Sequence, residues 1–198
     1  FNFLVELIED KFIDEAKQKI NNILLDLEKK LTGIYLIEEF TDRLSDAVIS
    51  MGEQLSKTML VAALKSKGID AEDFEAAEFI KTNSRFSNAE VDFEITDKLI
   101  QQKFQSANRE VIPIVNGFTG SNQHGQVTTL GRSGSDYTAT ILAGALDADS
   151  VEIWTDVDGI LSADPRIVSE AKIIKEINYN DAAELAFLGA KVIFPKAM

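Results

Sequence analysis

Five consecutive apolar residues, Val111-Ile112-Pro113-Ile114-Val115, stop abruptly at Asn116-Gly117. A strand with one wet face alternates apolar and polar residues, whereas a short unbroken apolar run fits a strand covered on both faces. Such a strand needs helices on either side, and the flanking sequence supplies them. Phe3, Leu7, Ile8, Phe12, Ala16, Ile20, Ile23, Leu27 and Leu31 recur at three- and four-residue spacing, which predicts an amphipathic helix stopped at Gly33. The same periodicity predicts helices over 41–67, ended by Gly68, and over 90–107, with a short strand at 69–74 between them. Beyond the apolar run, His124-Gly125-Gln126 reads as a tight turn between extended arms. It is followed by a helix at 137–146, a strand at 151–154 and a last helix at 180–188. Strands alternating with helices give an α/β fold with a largely parallel sheet. No repeat, low-complexity tract or linker divides the chain, so it reads as one unit. Residues 1–110 are mainly helical and 111–198 form an α/β region.

Composition narrows the function. Across 198 residues, 20 basic and 33 acidic side chains leave a net charge of −13. That repels phosphate backbones and argues against a nucleic-acid partner. An anionic ligand would have to be caught by a few well-placed basic groups and backbone amides. No apolar run is long enough to span a bilayer. Zero cysteines exclude thiol catalysis and cysteine-held metals, and the single histidine, His124, excludes a multi-histidine centre. The same composition fits a reducing, cytoplasmic setting. The chain opens on Phe1 and closes within the apolar stretch before Met198, which reads as a cut through a longer structure.

Ligands of open α/β sheets sit beyond the carboxyl ends of the strands. Three loops rich in glycine or aspartate follow strand ends here, at 116–122, 131–136 and 155–164. Gly131-Arg132-Ser133-Gly134-Ser135-Asp136 joins open backbone amides, a guanidinium and a helix start, a combination suited to a carboxylate or phosphate. The plainer alternative is a glycine turn with Ser135 or Asp136 as the N-cap. Thr155-Asp156-Val157-Asp158-Gly159 with Asp164-Pro165-Arg166 could surround a nucleotide and its magnesium, with Arg166 near phosphate, or form a solvated turn. Glu53 interrupts an apolar helical face. Taken alone it is best explained as an i,i+4 partner of Lys57. Lys191 is either solvated surface or a phosphate contact, and His124 reads as surface.

The run from Val127 to Tyr137 resembles the aspartokinase signature. Trp154-Thr155-Asp156-Val157-Asp158-Gly159, Asp164-Pro165-Arg166, Glu184 to Val192, and Ser50-Met51-Gly52-Glu53 occur in that family in the same order. The wording around Trp154 is most similar to the kinase half of bifunctional aspartokinase–homoserine dehydrogenases. The resemblance implies the amino acid kinase fold, a three-layer αβα sandwich around a mostly parallel sheet, here incomplete. It implies ATP-dependent phosphorylation of the L-aspartate side chain to 4-phospho-L-aspartate, the first step toward lysine, threonine and methionine. ATP and Mg2+ would be the cofactors, and a homo-oligomer the form of the complete protein. By the same resemblance Glu53 binds the substrate ammonium and Arg132 a substrate carboxylate. Ser135 and the backbone at Gly117 and Phe118 seat the amino acid, and Asp136 organises the reacting groups. Thr155, Asp156, Arg166 and Lys191 line the nucleotide site, with Lys191 near the transferred phosphate. The family's opening strand and glycine-rich Lys-Phe-Gly-Gly-Thr-Ser motif have no match here, so the isolated chain is expected to be a poor catalyst. The competing readings are a non-catalytic amino-acid-binding relative and another amino acid kinase, such as a glutamate or acetylglutamate kinase.

Overall fold

The computed structural model describes residues 8–155, 159–163, 167–187 and 196. Two long helices come first, α1 (Asp10–Ile37) and α2 (Asp42–Ser66). They form an antiparallel pair whose seam buries Ile13, Ala16 and Ile20 against Ala62, with Leu55 and Met59 packed beside them. Gly33 does not stop α1. A mid-helix glycine costs only about 1 kcal/mol relative to alanine, and the helix runs on until Glu38 takes the left-handed conformation, φ 56°. Thr41 then caps α2 by accepting from the Leu44 N–H at 3.3 Å. Of the predicted first helix, the turn at 3–7 lies outside the described residues.

The chain continues through β1 (Ala71–Phe74), the single turn α3 (Ala76–Phe79), α4 (Phe93–Gln105) and β2 (Ile112–Val115). It goes on through the hairpin of β3 (Thr119–Ser121) and β4 (Val127–Thr129), then α5 (Gly134–Leu146) and α6 (Tyr179–Phe187). β1 and β2 pair in parallel, from Ala71 opposite Ile112 to Phe74 opposite Val115. This joins the helical first part to the apolar run at 111–115. β3 and β4 pair antiparallel, and β3 is tied to the preceding segment by a parallel bridge between Lys81 and Ser121.

Alternation along β1 separates the layers. Asp73 points to α2, where it meets Lys57 at 2.7 Å. Phe74 points to the opposite layer, edge-to-face on Phe104 of α4 at 5.3 Å between ring centres. On that second side Phe79, Ile80 and Ile100 pack with Ile141 and Ala145 of α5. Helices α1 and α2 on one side and α4 and α5 on the other make the expected αβα arrangement. The strand expected at 151–154 does not form among the described residues. Its composition suits a strand, but no neighbouring backbone ladders with it there, and Trp154 is 89% exposed.

Candidate active site

Three segments converge: the loop after β2, the loop after β4 and the middle of α2. They border an open cleft of about 420 Å3 lined by Ile49, Glu53, Phe118, Arg132, Ser133 and Ser135, among others. That is within the range of small-ligand sites. The convergence depends on two glycines. Gly117 lies against Ser135, and a Cβ on Gly134 would sit 2.8 Å from the Phe118 ring. Phe118 itself is left-handed at φ 72°, a costly conformation for an aromatic residue. It is held by donating its N–H to Thr138 Oγ1 at 3.0 Å and accepting from the Leu130 N–H at 2.9 Å.

The two charges in the cleft are available. Among the described residues, neither Glu53 nor Arg132 has an ion-pair partner. The local explanation for Glu53 fails because Lys57 is engaged elsewhere. Its ammonium is buried against Asp73 (2.7 Å) and Glu75 (2.9 Å) and donates to Phe74 O and Asn116 Oδ1. The plainer reading of the glycine loop fails too. The N-cap of α5 is Ser133, left-handed at φ 53°, and its side chain makes no capping bond. The helix start therefore keeps amide donors and the positive end of its dipole at the wall of the cleft.

Asp136, next in sequence to Ser135, is half-buried and lines a second cavity of about 610 Å3 with Thr140, Ile153, Ile160 and Tyr179. Consecutive residues of one helical turn thus serve two cavities. The next residue, Tyr137, packs toward the core, and burial raises its phenol above the ordinary 10.0. Thr155 is described and exposed, just beyond Ile153. Asp156, Arg166 and Lys191 lie outside the described residues. His124 is exposed at the tip of the β3–β4 turn, as expected.

Sequence reasoning missed the support beneath the cleft. Asn116 is 2% exposed. Its Oδ1 accepts from the Ala76 N–H at 2.9 Å, and its Nδ2 donates to Glu75 Oε1 at 2.7 Å and Thr119 Oγ1 at 2.9 Å. The abrupt switch from an apolar run to asparagine marked this position as a strand end, but two of its partners, Ala76 and Glu75, lie about forty residues away in sequence.

The sequence pattern of the amino acid kinase family matches residues 4–198, and the chain belongs to that family. Within the family its similarity is to aspartokinases. It is 40% identical to the lysine-sensitive aspartokinase 3 of Escherichia coli over 183 residues, covering 90% of this chain and 41% of that protein. The bifunctional aspartokinase/homoserine dehydrogenase of Buchnera aphidicola is 34% identical over 185 residues, covering 93% of this chain and 22% of that protein. The crystal structure of E. coli aspartokinase III with aspartate and ADP superposes with a TM-score of 0.86 at 39% identity, over 91% of this chain and 40% of that one. The chain thus spans about two-fifths of E. coli aspartokinase. The expected amino acid kinase fold is borne out.

Proposed function

We propose that the protein to which this chain belongs is an aspartate kinase, transferring the γ-phosphoryl of ATP to the side-chain carboxylate of L-aspartate. The observation that carries the reading is that Glu53 and Arg132, neither of them ion-paired among the described residues, line one cleft. A free amino acid offers the complementary ammonium and carboxylate. Arg132 supplies a planar fork for two parallel bonds to carboxylate oxygens, and Glu53 accepts from the ammonium. Ser135, with the backbone at Gly117 and Phe118, seats the remainder. The relative crystallised with aspartate and ADP supports the same reading.

A carboxylate is already nucleophilic at neutral pH, so no general base is required. The barrier is the approach of two anions, and catalysis is mainly positioning and charge neutralisation. Asp136 is at the junction, one residue from the aspartate cleft and on the wall of the larger cavity. The resemblance assigns Thr155, Asp156, Arg166 and Lys191 to the nucleotide, with Lys191 neutralising the moving phosphate. Mg2+ binds through nucleotide phosphates plus one or two carboxylates, and Asp136, on the wall of the larger cavity, would supply one. When bound, the ion supplies charge neutralisation at the phosphates.

The product, 4-phospho-L-aspartate, would commit aspartate to lysine, threonine and methionine synthesis in the cytoplasm, and the complete protein would be a homo-oligomer. Hydroxylamine trapping tests the reading. Full-length protein with Mg–ATP should convert aspartate to aspartyl hydroxamate. Formation of the glutamyl derivative instead, or binding of aspartate without turnover, would replace it with one of the competing readings.

A further inference from the structure

Asp46 is a carboxylate at zero exposure on α2, with no ion-pair partner among the described residues. Both of its oxygens accept hydrogen bonds. Oδ2 takes the N–H of Thr129 at 2.9 Å and the N–H of Ser87 at 2.8 Å, and Oδ1 takes the Thr129 hydroxyl at 2.8 Å. A buried carboxylate pays a desolvation cost that its bonds must offset, so it is a weak device for stability alone. What these three bonds do is geometric.

Thr129 closes β4 opposite Thr119 of β3, and its N–H and carbonyl face away from that strand. Its N–H goes to Asp46, and its carbonyl accepts from the Ala89 N–H at 2.9 Å. Asp46 therefore occupies the place of a neighbouring strand at the last residue before the Leu130-Gly131-Arg132 loop. Ser87, left-handed at φ 68°, lines the aspartate cleft itself. Glu53 stands seven residues after Asp46 on the same helix, two turns along the same face and about 10 Å up the axis. One carboxylate thus fastens together the helix bearing Glu53, the loop bearing Ser87 and the strand end that launches Arg132.

We infer that Asp46 is a positioning residue that fixes the separation of Glu53 from Arg132, and so the spacing at which the cleft accepts an ammonium and a carboxylate. This rests on the aspartate kinase reading for its kinetic consequence but not for its structural one. The two are tested separately, in the full-length protein.

Asp46→Ala removes all three acceptors. Asp46→Asn is the conservative rescue, since its carbonyl oxygen can keep both backbone bonds while its amide donates to the Thr129 hydroxyl. Thr129→Val removes the hydroxyl bond only and should fold even if the alanine variant does not. The expected result for Asp46→Ala is a KM for aspartate raised roughly tenfold or more, as displacement of a binding group implies. The KM for ATP should change less than about twofold. Asp46→Asn should recover most of the loss, and Thr129→Val should fall between them. Peptide-level hydrogen exchange should quicken across 129–135 in Asp46→Ala, or in Thr129→Val should the alanine variant not fold. Equal changes in both KM values, or unchanged exchange across 129–135, would overturn the inference. A wild-type protein that makes no aspartyl hydroxamate would overturn the kinase reading instead, leaving the exchange measurement to decide on Asp46.

Discussion

Gly117 and Ser135 approach so closely that a Cβ on Gly117 would lie 2.9 Å from the Ser135 Cα and 3.1 Å from its Oγ. The atom it would meet first is backbone at the first turn of α5, which cannot swing aside. Gly117→Ala should therefore separate the β2 loop from the helix start, destabilising the protein by about 1–3 kcal/mol, the usual range for overpacking. It should also raise the KM for aspartate. Gly33→Ala is the control, because nothing lies within 4 Å of the added carbon in α1. It should raise stability by about 0.5–1 kcal/mol in chemical denaturation. A neutral Gly117→Ala would show that the two loops are not held in contact.

Arg132 tests the fork argument. Arg132→Lys keeps the charge but not the planar pair of donors, so aspartate binding should weaken by about 1–3 kcal/mol. Isothermal titration with the nucleotide should show an unchanged affinity. Equal losses for both ligands would make Arg132 a structural residue.

The parts of this site that were legible in the sequence are those written in local chemistry. The apolar run at 111–115 became β2, ending just before the asparagine. Ile112 is exposed, however, and Pro113, Ile114 and Val115 are only half-buried, so among the described residues the strand is not covered on both faces as its unbroken apolar run predicted. The loop at 131–136 became the turn and uncapped start of α5 because two glycines three residues apart and the arginine between them state that conformation and charge directly. What could not be read depends on residues distant in the chain. Lys57 lies four residues from Glu53, which made a helical pair the natural reading. Its actual partners, Asp73, Glu75 and Asn116, are set by the packing of α2 on β1 and β2. Asp46 had no local signal at all, since its partners are backbone amides and one hydroxyl on two other segments. At 151–154 the strand pattern was present, but a strand also requires a neighbour.

Lys57 should be a stability residue. Its side chain is 4% exposed, while Asp73 and Glu75 keep 32% and 30% exposure. Breaking a buried ion pair from one side typically costs about 3–5 kcal/mol. The partial hydration left to both carboxylates puts Lys57→Met near the low end, about 3 kcal/mol. The loss should shrink when Asp73→Asn and Glu75→Gln are added, because fewer orphaned charges remain. Urea titrations of the single and triple variants check this. A triple variant weaker by the full sum would mean that the carboxylates act independently of the lysine.

Tyr137 makes the pH dependence testable. Burial raises its phenol above the ordinary 10.0 in the folded chain. Between that value and the raised one, the unfolded chain has released its proton while the folded chain still holds it. The folded state then binds more protons, so its stability falls as pH rises through this window and is unaffected below it. Tyr137→Phe removes the ionisation but keeps the ring packed against the buried cluster that includes Ile141. The difference in unfolding free energy between wild type and variant should be flat below pH 10.0 and fall above it. Contributions from other alkaline groups cancel in that difference. A difference that stays flat through the alkaline range would mean that the phenol is as well hydrated in the folded protein as in the unfolded chain.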